Sequence, residues 1–173
     1  MKTLIVVDMQ NEFITGPLGT PEAVAIVPKV KKKIEEYRER GDRIIFTRDT
    51  HFKNYLDTVE GKHLPVEHCI VGSDGWKIVD GLVSYEDTRV DKHSFGYLGW
   101  GYVAHHIIDM CDIIEIVGIC SDICVISNAL ILKSDYPYIE IYVDASCCAG
   151  TTPENHKAAL QVMKCCQINV VGE

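Results

Sequence analysis

Short aliphatic runs alternate with stretches of helical period along the whole of this 173-residue chain. TLIVVD (3 to 8) is apolar at successive positions, as a strand buried on both faces should be, and the signal returns in DRIIFTRD (42 to 49), TRVDK (88 to 92), DIIEIVG (112 to 118), IEIYVDA (139 to 145) and QINVVG (167 to 172). Between them, PEAVAIVPKVKKKIEEYRERG (21 to 41) predicts a helix that stops at Gly41. GWGYVAHHIIDM (99 to 110), a segment from Ser121 or Asp122 to about Ser134, and TPENHKAALQVMKC (152 to 165) predict three more. Residues 50 to 87 carry little periodicity and are rich in Gly, His and Asp, which predicts a long loop with a short helix near WKIVDGL. Long loops in compact domains are usually functional.

This alternation predicts one domain over residues 1 to 173, a three-layer α/β/α, Rossmann-like fold on a mostly parallel six-stranded sheet. Ligands in such sheets bind beyond the carboxyl ends of the strands. Asp8 ends the first strand, Lys92 ends the third, and Cys124 lies just past the fourth, so all three should face one crevice. Alone, Asp8 reads as well as a turn cap and Lys92 as a solvated lysine. Cys124 is more informative, because a thiol in a first helical turn meets backbone N–H groups and the positive end of the helix dipole, which favour thiolate. A carboxylate is needed to take its proton, and a lysine to hold that carboxylate ionised.

Composition narrows the partners. A formal charge of -8 argues against a phosphate-tracking surface, and the one basic cluster, Lys29 to Lys33, is interleaved with Glu35, Glu36 and Glu39, so no nucleic-acid partner is expected. No apolar run approaches the ~20 residues of a membrane span. Met1 to Val7 lacks the basic head and cleavage site of an export signal, so a cytoplasmic location without a membrane partner is expected. The eight cysteines read mostly as small buried hydrophobes rather than a disulfide framework, and His105, His106 and the vicinal pairs Cys147–Cys148 and Cys165–Cys166 as structural. No nucleotide-binding motif occurs, so no nucleotide cofactor is expected.

VVDMQNEF, the DK at 91 to 92 and VGICSDICV at 117 to 125 resemble the cysteine-hydrolase, or isochorismatase-like, superfamily, in matching order over essentially the whole chain. The resemblance implies that family's hydrolase fold and a catalytic triad of Asp8, Lys92 and Cys124. It also implies a cis peptide at Ile119–Cys120, with an oxyanion hole from the backbone N–H groups of Cys120 and Cys124. Ser121 and Asp122 would then shape the turn and cap the helix. A redox pair of Cys120 with Cys124 is the weaker alternative, since the spacing is CxxxC rather than CxxC.

In the long loop, RDTH (48 to 51) and LPVEHCIVGSDGW (64 to 76) offer Asp49, His51 and His68, a carboxylate and two imidazoles suited to zinc, iron or manganese. This pair of elements is similar to the nicotinamidase and pyrazinamidase branch, where such residues hold a metal that anchors the substrate's pyridine nitrogen. The chain departs from it with Thr50, where a Trp is usual, and Ser73, often Thr. The resemblance implies an amidohydrolase acting on nicotinamide or a close analogue through a cysteine thioester, a place in NAD salvage, a divalent metal, most simply zinc, and a homo-oligomer. Phe13, Phe95, Tyr97 or Trp100 would wall the pocket. The alternatives are a ureidoacrylate- or carbamoylsarcosine-type hydrolase with the same triad and, in a different class, a non-catalytic metal-binding or thiol-redox protein.

Overall fold

A computed structural model describes residues 1–104 and 113–173. Its centre is a six-stranded sheet of β1 (Lys2–Val7), β2 (Arg43–Asp49), β3 (Thr88–Lys92), β4 (Ile113–Ile119), β5 (Glu140–Ala149) and β6 (Asn169–Val171). The order is β3-β2-β1-β4-β5-β6 and every pairing is parallel. Successive side chains of β1 serve opposite layers. Leu4 and Val6 pack with Val30, Ile34 and Phe46, while Ile5 and Val7 pack with Ile116, Ala129 and Leu160. Burial on both faces is why these strands read as unbroken aliphatic runs.

Helix α2 (Pro21–Glu39) follows the short α1 (Asn11–Ile14), which the sequence pattern did not reveal. Thr20 caps α2 by accepting from Ala23 N at 3.1 Å, and Ala23, Ile26, Val30, Ile34 and Tyr37 form its buried stripe. Gly41, at φ +69°, ends it with an N–H donated to the Arg38 carbonyl. On the opposite face lie α5 (Ile126–Asp135) and α6 (Pro153–Cys165), each supplying residues to the Ile5 and Val7 layer. Of the predicted helix 99–110, the structure describes α4 (Trp100–Ala104); its remainder, with His105, His106, Cys111 and Asp112, lies outside the described residues.

The long loop corrects one expectation. WKIVDGL is not helical: Ile78 bridges Gln10 in antiparallel fashion, and Asn11 N and Val79 N bond to the Lys77 and Met9 carbonyls, so the segment is a strap across the chain leaving β1. The loop's helical pieces are a 3₁₀ turn, Tyr55–Asp57, and α3 (Val59–His63), whose start is capped by the Thr58 side chain. Among the described residues, no helix is long and apolar enough to cross a membrane.

The sheet winds outward in both directions from β1 and β4, which makes their carboxyl ends the switch-point crevice. Gly118 lets β4 run this close to β1: at φ +119°, a Cβ there would sit 2.1 Å from the Val7 carbonyl oxygen.

Candidate active site

Four strand ends converge on one buried ammonium. Lys92, closing β3, places Nζ 2.8 Å from Asp8 Oδ2, 3.1 Å from Asp49 Oδ1 and 3.4 Å from Cys124 Sγ. Asp8 follows β1 with φ +48° and is fully buried. Thr47 of β2 holds it in reciprocal fashion, donating its hydroxyl to Asp8 Oδ1 at 2.6 Å while accepting from Asp8 N at 3.2 Å. Asp8, Lys92 and Cys124, picked out by strand-end position, are thus brought together.

Burial, helped by the Asp49 charge, pushes the Asp8 carboxyl above its usual range against the pull of Lys92. Burial and then Asp8 push the Cys124 thiol well above the ordinary value. Against the expectation that the helix N-terminus would favour thiolate, burial and the neighbouring Asp8 carboxylate both act to favour the thiol at Cys124. Burial opposes the Lys92 charge, but Asp8 and Asp49 outweigh it and the ammonium is held protonated.

The chain leaves β4 through a cis Ile119–Cys120 peptide, where the family pattern places one, and enters a π-helical turn, Ser121–Val125, before α5 begins. Capping by Ser121 and Asp122 is not found. Ser121 Oγ shares a 2.8 Å hydrogen bond with His156 Nδ1, and Asp122 accepts from Thr151 N at 2.8 Å, so both side chains turn away from their own helix toward the start of α6.

Asp49, His51 and His68 also converge, each offering one ligand atom within 4.8 Å of the others, all buried. His51 Nε2 lies 2.9 Å and His68 Nε2 3.4 Å from Asp49 Oδ2, and Glu60 Oε1 of α3 lies 3.6 Å from both nitrogens. His68 Nδ1 bonds the Val66 carbonyl at 2.8 Å, which turns its Nε2 lone pair inward. The donor set fits a divalent cation. Two carboxylates face two imidazoles, and the cluster draws positive charge: burial opposes it, yet Asp49 and Glu60 raise the His68 imidazole to about 10. Asp49 is held well below the carboxylate range against its burial by the two histidines and Lys92.

The two clusters share a cavity of about 370 Å³ whose wall includes Phe13, Phe95, Ile123, Cys120, Cys124 and His68. Asp49 and Glu60 also line it. Phe13 and Phe95 thus stand where the sequence put them. Tyr97 and Trp100 do not: Tyr97 packs edge-on against Trp100 at 5.1 Å, and Trp100 is wholly buried, its indole donating to Asn128 Oδ1 at 3.1 Å. Asn128 in turn donates to the Cys124 carbonyl at 2.8 Å. A polar residue four positions after the cysteine, in an apolar stretch, was its only signal. Gln10 was missed likewise; fully buried, it holds Asp49 by accepting from Asp49 N at 2.7 Å and donating to Asp49 O at 2.9 Å. Thr47 and Glu60 carry no sequence signal of their own.

A family model, the isochorismatase domain, matches residues 2–172. The chain belongs to the isochorismatase family. Over its whole length it is 27% identical to a nicotinamidase of Saccharomyces cerevisiae, all of which is covered. A probable inactive nicotinamidase of Arabidopsis thaliana is 30% identical over 93% of this chain and 87% of its own. Among solved structures, a Pyrococcus horikoshii pyrazinamidase in complex with zinc superposes with a TM-score of 0.87 at 27% identity, covering 99% of both chains.

Proposed function

We propose that this member of the isochorismatase family hydrolyses a small heteroaromatic carboxamide, nicotinamide or a close analogue, to the acid and ammonia, in the manner expected of an enzyme of NAD salvage. The observation that carries the reading is the single ammonium of Lys92 shared by Asp8, Asp49 and Cys124, which welds a thiol and its base to a donor set for a metal. Asp8, with its raised proton affinity, takes the Cys124 proton as Sγ attacks the carboxamide carbon. The oxyanion is received by the backbone N–H groups of Cys120 and Cys124. As the C–N bond breaks, protonated Asp8 delivers its proton to the departing ammonia. Asp8 then deprotonates a water that attacks the thioester, and the thiolate leaves to recover its proton.

A divalent cation, zinc in the first instance, would be held by Asp49, His51 and His68 with Glu60 beside them, and when bound supplies a Lewis acid that orients a ring nitrogen. Phe13 and Phe95 offer faces for a flat ring. The test is ammonia release from nicotinamide, pyrazinamide, benzamide and carbamoyl or ureido compounds, with and without a chelator. Turnover of the two ring-nitrogen amides, weak turnover of benzamide and loss on chelation are expected. Chelator-insensitive turnover of a carbamoyl compound would replace this reading with a metal-independent amidase of the same family. No turnover of any amide would favour a non-catalytic protein, comparable to the probable inactive nicotinamidase of Arabidopsis thaliana.

A further inference from the structure

We infer, resting on the cysteine-hydrolase reading above, that His156 is a positioning residue: it holds Ser121, and through it the turn that carries the nucleophile. Ser121 and Asp122 stand where side chains ordinarily cap a helix by bonding its free N–H groups. Both are diverted. Cys120, at the cap position, makes no side-chain cap bond, and the Ser121 hydroxyl, at 0% exposure, has His156 Nδ1 as its partner at 2.8 Å. Asp122 accepts from the backbone and hydroxyl of Thr151.

Both partners sit at the junction of β5 and α6, and that junction is itself fixed. Thr152 caps α6 by accepting from Asn155 N at 3.1 Å, which sets the first turn where His156 lies. Gly150 packs so tightly that a Cβ would fall 2.9 Å from His156 N and 3.0 Å from Asp122 Oδ1. Gly150 and Thr151 also line the cavity with Cys120 and Cys124. One segment therefore walls the substrate space and anchors the turn that reacts in it. Ser121 is one residue from Cys120 and three from Cys124, so losing the His156 contact leaves a buried hydroxyl unpaired next to both, and the turn must shift to satisfy it. Misplacing reacting groups by about 1 Å can cost on the order of 10²-fold in rate.

The test compares His156→Leu, His156→Asn, Ser121→Ala and the Ser121→Ala, His156→Leu double variant, reading kcat, KM, bound metal and the rate of Cys124 alkylation by iodoacetamide. His156→Leu should lower kcat by about 10- to 100-fold with KM within about threefold and metal content unchanged. The asparagine amide can reach the place of Nδ1, so His156→Asn should recover kcat to within about fivefold of the parent, a barrier shift of ~1 kcal/mol. The double variant should be no worse than the poorer single one, as members of one contact are not additive. Parental kcat in His156→Leu, equal damage from Leu and Asn, or additive losses would overturn the inference. Should His156→Leu not fold, Ser121→Ala decides: parental kcat there overturns it and a kcat loss with KM held supports it. Should the parent hydrolyse no amide, it is the proposed function that fails. Positioning is then read from alkylation, with a slowing of fivefold or more in His156→Leu, recovered in His156→Asn, supporting it and equal rates overturning it.

Discussion

Two lysines in this molecule are each bracketed by two carboxylates, and they do opposite work. Lys92 lies between Asp8 and Asp49 with its side chain wholly buried. Lys33, on α2, lies 2.6 Å from Glu115 of β4 and 2.7 Å from Asp144 of β5 and keeps 20% of its side chain exposed. Around Lys33 every carboxylate oxygen has a donor: Lys33 and Tyr37 serve Glu115, and Lys33 and Ser146, which donates twice, serve Asp144. Burial opposes it, but Lys33 and Ser146 hold the Asp144 carboxyl below the usual carboxylate range. Around Lys92, burial lifts Asp8 above that range, and the cluster opens on a cavity with a thiol 3.4 Å from the ammonium. An ion pair that fastens a helix to a sheet lowers its carboxylate's proton affinity. The one proposed to supply a base keeps it high at Asp8.

The largest effect should come from breaking the Lys92 cluster. Cys124→Ala is expected to reduce amide turnover to background, and Asp8→Asn to lower kcat by on the order of 10²- to 10⁴-fold, as for loss of a general acid–base. Cys120→Ala should keep about a tenth or more of parental turnover, a barrier shift within ~1.4 kcal/mol, because only its backbone is used. Complete loss in both cysteine variants, with the fold intact by circular dichroism, would point to a dithiol mechanism instead. Because the Asp8 carboxyl is raised in the folded protein, the acid limb of kcat/KM should lie above the ordinary carboxylate range.

Next come the metal donors. His51→Ala and His68→Ala should each lose bound metal by elemental analysis and lose turnover, through misplacement of substrate. Their Cys124 alkylation rate should stay within about tenfold of the parent, ~1.4 kcal/mol in barrier, since Asp8, Lys92 and Cys124 are untouched. Nicotinamide should protect the parental thiol and fail to protect theirs. Protection that survives in these variants would separate the ring anchor from this donor set.

The difference between the two lysines was only half legible in the sequence. Strand-end position singled out Lys92, and the donor types in RDTH and LPVEHCIVGSDGW, together with their resemblance to the nicotinamidase branch, singled out Asp49, His51 and His68. Lys33 read as one of a solvated basic run, since nothing local tells that β4 and β5 present Glu115 and Asp144 beneath that helix position. Thr47 and Gln10 were hidden for the same reason, their partners lying far along the chain. The strand order could not be read from alternation alone. Residues 50–87 were read as a long loop, but the one short helix expected there, near WKIVDGL, was misplaced: that segment is a strap held by pairing of Ile78 with Gln10, and the helical pieces lie at 55–57 and 59–63.

A smaller effect, on stability rather than turnover, is expected from Lys33→Met. It leaves Glu115 and Asp144 without their cation and should cost about 1–3 kcal/mol in denaturant unfolding, with kcat per folded molecule unchanged. The sign with pH is fixed by Asp144. Its folded pKa is below the unfolded value of 3.8, so its stabilisation is present above about pH 4 and is lost as pH falls through the folded pKa. The parent should therefore lose stability on acidification through this window, and Lys33→Met should lose less, while the acid limb of activity set by Asp8 stays where it was. A shift of that limb in Lys33→Met would show that the two clusters are electrically coupled across the sheet.

The smallest effect belongs to Tyr37→Phe. The Tyr37 hydroxyl donates to Glu115 Oε2 at 2.5 Å, and its ring, 1% exposed, belongs to the α2 stripe against the sheet. Phenylalanine keeps the ring and removes one hydrogen bond to a charged acceptor that Lys33 still neutralises, so a loss of about 1 kcal/mol is expected rather than the larger cost of an orphaned charge. Combined with Lys33→Met, the loss should exceed the sum of the two, because Glu115 then has neither donor. Additive losses in that double variant would mean that Glu115 finds water in place of its partners, and that the strut beneath α2 is wetter and looser than the sealed cluster around Lys92.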